Sequence, residues 1–380
     1  MKAPTYSQAT AARSRIAQLD IEIEDLKRSL NARVAELRRC RRVLARYKHP
    51  RIPTLPAELI SEIFIQFLPS HRRFLKPGVD SESPALLLQV CRQWRDIALE
   101  TRALWSSIGV DLHDNIGTRK QKLQQLEIWL ERSGNYPLSI RLCHVKIPDR
   151  ETAPIPTIQF AKAIMRHASH LQHFEIEVPY EDLHGFTGAM PMLRSVLVGT
   201  SEPYILPDTT LSETAVPMFT LAPNLRHADL WWTFNPFTIT LPWSQLTVLT
   251  AELYIPEALH ILHQATALET CTLTLYSQDD PVPAHPTVSV LPLRSLSLIW
   301  GEGDRNDSLV ALINSLTLPV LDSLVVSELL LGADPIAALY RLRPQGYPRV
   351  LEIKEARLSF HVYKDAFPDA VLSVEPLEED

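Results

Sequence analysis

Apolar residues recur every seven positions near the start of the chain. Two interleaved series, three positions apart, are Ile16, Ile23, Leu30, Leu37 and Leu44, and Leu19, Leu26, Arg33, Cys40 and Tyr47. Such series place an apolar stripe along one side of a helix, which is typical of a coiled coil. Residues 8–48 contain neither Pro nor Gly. They predict one long coiled-coil helix that forms a homodimer, binds a partner helix, or folds back on its own chain.

Charge is distributed unevenly along the chain. Residues 1–50 carry 12 Lys and Arg against 5 Asp and Glu, which leaves 26 basic and 39 acidic residues in the remainder. An acidic body does not suit general binding to nucleic acid, because that binding requires neutralisation of phosphates. The Arg-rich run within residues 38–51 is either the solvated face of the helix or a nuclear import or nucleic-acid patch.

Residues 52–108 predict a compact group of short helices. Pro50 and Pro53 end the preceding helix, and Leu59, Ile63 and Phe67 then recur four positions apart, as on one face of a helix. A polar stretch at residues 69–84 separates this segment from two further ones, ALLLQVCRQWRDIA and LWSSI. A module of this size buries little surface by itself, so its apolar residues are expected to meet a partner.

The ordered pattern LPAELISEIF, LLLQVCRQWRDIAL and LWSSI resembles an F-box, the helical module of substrate receptors in cullin–RING ubiquitin ligases. The stretch at residues 69–84 is longer than in compact members of that family. The resemblance implies docking to a Skp-type linker subunit, and through it to a cullin. By motif position, the docking residues would be Leu55, Pro56, Glu58, Leu59, Ile63, Phe64, Val90, Cys91, Trp94 and Trp105. The alternative role for Trp94 and Trp105 is to hold the helices together.

A different periodicity governs residues 111–380. The motif Leu-x-x-apolar-x-apolar begins at Leu171, Leu193, Leu225, Leu246, Leu268, Leu293 and Leu321, with a weaker copy, RVLEIK, at 349. Most steps between these positions fall in the 20–29-residue range of leucine-rich repeats. The predicted fold is therefore a mainly α N-terminal part, made of the coiled-coil helix and a three-helix F-box, followed by an α/β leucine-rich-repeat-like solenoid.

Alternate residues of these strands are expected to point away from the core. In a solenoid such residues line the concave face, where a target protein commonly binds. The predicted target-binding residues are Glu175, Glu177, Asp229, Trp231, Thr272, Thr274, Tyr276, Ser297 and Ile299.

The sequence offers little sign of catalysis. Only 11 of 380 residues are Gly, and no phosphate-binding loop, GxSxG elbow or HExxH helix occurs. His167, His170 and His173 straddle a predicted helix end and strand start, so they are not expected to converge on a metal. Cys40, Cys91, Cys143 and Cys271 lack CxxC spacing, which speaks against a disulfide scaffold or zinc site and favours a reducing compartment.

The expected function is therefore non-enzymatic, with no metal, no cofactor and no membrane span. We expect a substrate-receptor subunit of a Skp–cullin–F-box ubiquitin ligase in the cytoplasm or nucleus, which promotes ubiquitin-dependent degradation of an unknown target protein. The predicted domains are 8–48, 52–108 and 111–380. The alternative is a coiled-coil scaffold or self-assembling protein with no link to a ligase.

Overall fold

The computed structural model divides the chain into two compact units, Met1–Ile60 and Ser61–Asp380. The residues that the structure describes are 6–46, 55–68, 83–112, 116–144, 157–200, 216–231, 236–237, 239–276, 288–289, 292–301, 312–313, 315–342 and 347–377. Tyr47, Lys48 and the end of the Arg-rich region at residues 47–51 lie outside these ranges. The predicted domain limits remain predictions.

The first unit contains the long helix that the heptad pattern predicts. Helix α1 (Tyr6–Arg46) runs for 41 residues without interruption. The described seam side chains from Ile16 to Cys40 are all exposed within the chain. The side chain of Leu44 lies outside the description. At a rise of about 1.5 Å per residue, α1 is roughly 60 Å long.

Further helices lie between and beside the strands. The α-helices after α1 are α2 (Ala57–Phe67), α3 (Leu87–Val90), α4 (Arg92–Glu100), α5 (Ile116–Ser133), α6 (Thr157–Met165), α7 (Ile255–Gln264), α8 (Pro335–Leu342) and α9 (Phe360–Ala366). None of the helices in the described ranges combines the length and apolar character that a bilayer crossing requires.

The strands follow one another along the chain with short intervals. They are β1 (Ser107–Asp111), β2 (Leu138–Cys143), β3 (Leu171–Val178), β4 (Ser195–Thr200), β5 (Val216–Pro217), β6 (His227–Leu230), β7 (Ile239–Thr240), β8 (Val248–Tyr254), β9 (Thr270–Tyr276), β10 (Val288–Ser289), β11 (Ser295–Trp300), β12 (Leu316–Thr317), β13 (Ser323–Ser327), β14 (Val350–Ala356) and β15 (Val371–Pro376).

Eleven of these strands form one large parallel sheet in the order β1-β2-β3-β4-β6-β8-β9-β11-β13-β14-β15. The other four form two small parallel pairs, β5 with β7 and β10 with β12. Each sheet neighbour in the main sheet is thus the next long strand along the chain, because a short return segment brings the chain back to the same end.

Two rows of apolar side chains cross the main sheet from edge to edge. The first row is Ile108, Ile140, Phe174, Val196, Ala228, Leu249, Cys271, Leu296, Leu324, Leu351 and Leu372, and it follows from the strand register. All of these side chains except Leu372 are buried. Most of the alternate positions are half-buried or exposed, although Gly109, Cys143, Gly199 and Ser327 are buried, so most of the opposite face of the sheet is open.

The prediction of a leucine-rich solenoid over residues 111–380 is wrong. The strands form a single 11-stranded parallel sheet of an α/β fold, and this sheet begins at Ser107 within the segment assigned to the F-box. The return segments also differ from one another: α5 has 18 residues, α6 has nine, and Trp243–Gln245 forms only a 3₁₀ turn. The repeat motif located eight strands correctly, but it describes only the strands and not the connections.

The start of α7 contains a buried carboxyl group. The Glu257 side chain accepts a hydrogen bond from the Tyr254 backbone N–H at 3.0 Å and thereby caps the helix. Burial raises the pKa of Glu257 to about 7, although the hydrogen bond from Tyr254 acts in the opposite direction. The folded chain therefore binds this proton more tightly than the unfolded chain does.

We expect this carboxyl group to make stability depend on pH. Its contribution is complete below a pH of about 4.5, the ordinary pKa, and is lost as the pH rises through about 7. The loss amounts to about 3 kcal/mol in the free energy of unfolding. Glu257→Gln keeps an acceptor for the Tyr254 N–H but does not titrate. Urea unfolding between pH 5 and pH 8 should therefore show a flatter pH profile for Glu257→Gln than for the natural chain, and parallel profiles would contradict the assignment.

Candidate functional site

The connection between α3 and α4 is held by side chains of the predicted docking motif. Cys91 is the N-cap of α4, and its sulfur accepts a hydrogen bond from the Trp94 N–H at 3.4 Å. Arg95 Nε donates to the Leu88 carbonyl at 2.9 Å, which links the two helices across the bend. These bonds fix the orientation of Val90 at the end of α3. Val90 is 58% exposed.

The turn after α4 is anchored by a buried tryptophan. Trp105 is almost fully buried, and its ring nitrogen donates to the Ala98 carbonyl of α4 at 2.9 Å. Its ring meets Trp129 of α5 edge-on, with centroids 4.9 Å apart, while the Arg132 guanidinium lies 4.4 Å from the ring centre. Burial also lowers the pKa of Arg132. Trp105 therefore joins the helical segment to the first helix of the sheet domain.

Helix α2 is apolar on two sides. Ile60 and Phe64 are buried, and the Phe64 ring packs edge-on against Trp94 at 4.9 Å between centroids. Ser61 accepts a 2.9 Å hydrogen bond from Thr101 on the same side. Leu59, Ile63 and Phe67 form a second stripe at four-residue spacing, and this stripe is exposed. The side of α2 that carries Ile60 and Phe64 is therefore buried, whereas the side that carries Leu59, Ile63 and Phe67 is exposed.

The predicted docking residues fall into two groups. The exposed ones are Leu55, Pro56, Glu58, Leu59, Ile63, Val90 and Cys91. Phe64 and Trp105 are buried, and Trp94 is half-buried against Phe64. In this conformation the aromatic residues support the packing of the helices, which is the alternative role considered for both Trp residues. The aliphatic residues are the ones available to a partner.

The predicted target-binding residues lie on the open face of the main sheet. In register, Glu175, Asp229, Thr272 and Ser297 belong to one row, which also includes Leu197 and Thr250. Further along the strands, Thr274 pairs with Ile299, and Glu177 pairs with Gly199. All of these predicted residues are half-buried except Asp229, which is exposed. The face is therefore continuous across neighbouring strands.

Two of the acidic residues on this face interact with their neighbours in the sheet. Glu175 lies 3.7 Å from the Arg141 guanidinium. Glu177 accepts a hydrogen bond from the Cys143 sulfur at 2.8 Å. Burial, together with this carboxylate, raises the pKa of Cys143 to about 12, so the thiol stays protonated. Glu175 therefore has a basic neighbour on this face, whereas the hydrogen-bond donor to Glu177 is a neutral thiol.

Two predicted aromatic contact residues pack against glycines: Trp231 against Gly199 of β4, and Tyr276 against Gly301, which directly follows β11. A Cβ atom built on Gly301 would lie 2.5 Å from Cε1 of Tyr276, and one built on Gly199 would lie 3.1 Å from Cε3 of Trp231. Only glycine leaves room for the Tyr276 ring at this distance. The backbone at the glycine therefore packs against each ring, and both side chains remain half-exposed.

A cleft of about 630 Å³ opens at the end of this face where the strands begin. Its lining includes Tyr136, Ser139, His173, Ser195, His227 and Asp229. His173 Nδ1 lies 2.6 Å from Ser195 Oγ, a hydrogen bond whose donor depends on the imidazole tautomer. The repeat motif did not identify the part of the cleft that Tyr136 and Ser139 line, because β2 lacks the leading Leu-x-x. The alternation of apolar and polar residues in LSIRLC could have identified this strand.

The histidines considered as metal ligands do not converge. His167 precedes the 3₁₀ turn Ala168–His170, whereas His173 points into the cleft from β3. Among the residues that the structure describes, no cluster of three His, Cys, Asp or Glu side chains could hold a metal ion. Burial lowers the pKa of His167, which favours a neutral ring.

Comparison with known proteins leaves the site to be interpreted from its own geometry. No family model matches the chain, and no curated protein matches it either.

The opposite environments of Trp105 and Val90 generate a stability prediction. Trp105→Ala should lower the free energy of unfolding by about 3–5 kcal/mol, because it leaves a cavity and removes the hydrogen bond to Ala98. Val90→Ala should change it by less than about 0.5 kcal/mol, since the side chain already contacts solvent. Urea unfolding followed by tryptophan fluorescence and circular dichroism measures both. Similar losses for the two variants would show that Val90 is part of the core.

Proposed function

We propose that the chain is a non-catalytic substrate-receptor subunit of a Skp–cullin–F-box type ubiquitin ligase. Residues 55–105 would bind the Skp-type linker subunit, and the open face of the main sheet would bind the target protein. The observation that carries the proposal is the exposure of Leu59, Ile63 and Val90 on helices whose other side is buried, together with the exposure of Leu55, which precedes α2.

This exposure is costly unless another surface covers it. Burial of apolar area stabilises by about 25 cal/mol per Å², so aliphatic side chains left in water are a source of binding energy. Contiguous exposed apolar surface on a folded protein commonly marks a protein interface. The four exposed residues are among the ten that the F-box resemblance assigns to linker binding. For these four side chains the sequence pattern and the exposure support the same role.

Selection of the target would depend on the sheet face. Interfaces favour aromatic residues, and Trp231 and Tyr276 are held there on glycine backbone. Asp229 adds a negative charge on the same face, two residues before Trp231. The subunit would act by proximity, because holding the target beside a ubiquitin-loaded enzyme raises its effective concentration. The chemical step would take place on other subunits.

We expect Leu59→Asp combined with Val90→Asp to abolish capture of a purified Skp-type linker subunit. Each substitution places a charge in an apolar interface, and loss of one such anchor costs about 2 kcal/mol or more. The measurement is a pull-down with the full chain, followed by calorimetric titration of the linker subunit. The natural chain should bind with a stoichiometry of one linker per chain.

Leu221→Asp combined with Val371→Asp is the matched control. These residues are also an exposed Leu and an exposed Val, but they lie at other places on the fold, and Leu221 is 61% exposed. The control should bind the linker subunit as the natural chain does. Equal recovery of all three forms, or no binding by the natural chain, rejects the receptor function and favours the scaffold alternative.

A further inference from the structure

Helix α1 carries charged residues beside its apolar seam in a pattern that specifies a partner. The spacing of three and then four residues assigns Ile16, Ile23, Leu30 and Leu37 to heptad position a, and Leu19 and Leu26 to position d. Their exposed fractions range from 39% to 69%. β-Branched residues at a with Leu at d favour two parallel strands, and Ile16 and Ile23 supply this in the first two heptads.

The flanking positions complement one another between two copies of the helix. In a parallel dimer, position g of one helix faces the e residue five positions later on the other. Arg15 would then face Asp20, Glu22 would face Lys27, and Glu36 would face Arg41. All three pairs are attractive, and two-fold symmetry produces each of them twice. The remaining pair within the described side chains, Ser29 with Val34, is uncharged.

These pairs cannot form within one helix. Residues three or four apart are neighbours on a helix surface, whereas residues five apart point in different directions. Lys27 instead bonds to Glu24, at 2.8 Å, with both side chains about 62% exposed. An exposed pair of this kind contributes little, so it can be exchanged for a contact across the seam. Oppositely charged residues five positions apart can therefore form ion pairs only between two helices.

We infer that α1 binds α1 of a second copy of this chain as a parallel, in-register, two-stranded coiled coil. Arg33 at position d lowers the stability of this dimer, and its apolar stem can remain in the seam while the guanidinium reaches solvent. The inference is independent of the proposed function, because it concerns residues 15–41 and needs no linker subunit. Its failure would leave linker binding untouched.

An antiparallel dimer is the main competing arrangement. Its most complementary register pairs Arg15 with Glu36 and Asp20 with Lys27, and it leaves Glu22 beside Ser29. It uses a shorter part of the seam and forms four attractive pairs instead of six. It also separates the two Cys40 residues by about 45 Å along the axis, whereas a parallel in-register dimer places them face to face.

Light scattering on the full chain tests the dimer. At micromolar concentration the mass should be about twice 43.1 kDa. Ile23→Asp, in the seam, should weaken association by at least about a hundredfold and give the monomer mass. Ile21→Asp is the matched control, because Ile21 is 64% exposed on the outer side of the same helix. It should leave the mass unchanged. A monomeric natural chain, a trimer, or equal effects of both variants overturns the inference.

Charge exchange tests orientation and register. Glu22→Lys should raise the dissociation constant about tenfold, because two attractive pairs become repulsive. Adding Lys27→Glu should restore it to within about threefold. In the antiparallel register, Glu22→Lys would have little effect, and Lys27→Glu would introduce repulsion from Asp20. That opposite order of effects would reject the parallel arrangement.

Crosslinking provides a second test of orientation. In a Cys91→Ser background, added copper-phenanthroline should join two Cys40 thiols as a disulfide, visible as a covalent dimer on a non-reducing gel. Cys143 and Cys271 are buried, and Cys40→Ser should abolish the band. A dimer by light scattering that forms no covalent band contradicts the parallel in-register arrangement.

Discussion

The structure of the second unit depends on two apolar rows that cross eleven parallel strands in register. Each strand contributes one side chain to the first row and another, two residues later, to a second row that runs from Val110 and Leu142 at one edge to Ile353 and Val374 at the other. A shift of one residue would turn these side chains to the open face and bring polar ones into the core. The register therefore determines which residues face a partner as well as which ones are buried. The interaction surface of the sheet follows directly from its core.

Much of the strand pattern could be predicted from the sequence. Leu171, Leu225 and Leu268 each begin a motif whose later apolar positions are buried, because period-two alternation is a local property of a strand. Within the main sheet the motif missed β1, β2 and β15, which have no leading Leu-x-x, and it also missed the two-residue strands β5, β7, β10 and β12. It also led to a wrong fold class, since strand spacing says nothing about whether the return segment is an α-helix, a 3₁₀ turn or a loop.

The helical segment shows a different limit of sequence reasoning. Leu59, Ile60, Ile63 and Phe64 are similar residues on one short helix, yet two are buried and two are exposed. Periodicity identifies an apolar helix but does not assign its sides when both are apolar. The contacts of Phe64 with Trp94, and of Ser61 with Thr101, decide which side faces the rest of the unit. The resemblance to an F-box had grouped the buried and exposed residues together.

The glycines beneath Trp231 and Tyr276 influence recognition although they offer no side chain of their own. A ring confined against backbone has already lost much of its rotational freedom before any encounter. A partner that stacks on it therefore meets a smaller entropic penalty than it would on a freely rotating ring. A methyl group added at Gly301 would displace the aromatic ring from this position. A substitution at Gly301 could thus change which partners the face selects, although none of the residues that contact the partner would be replaced.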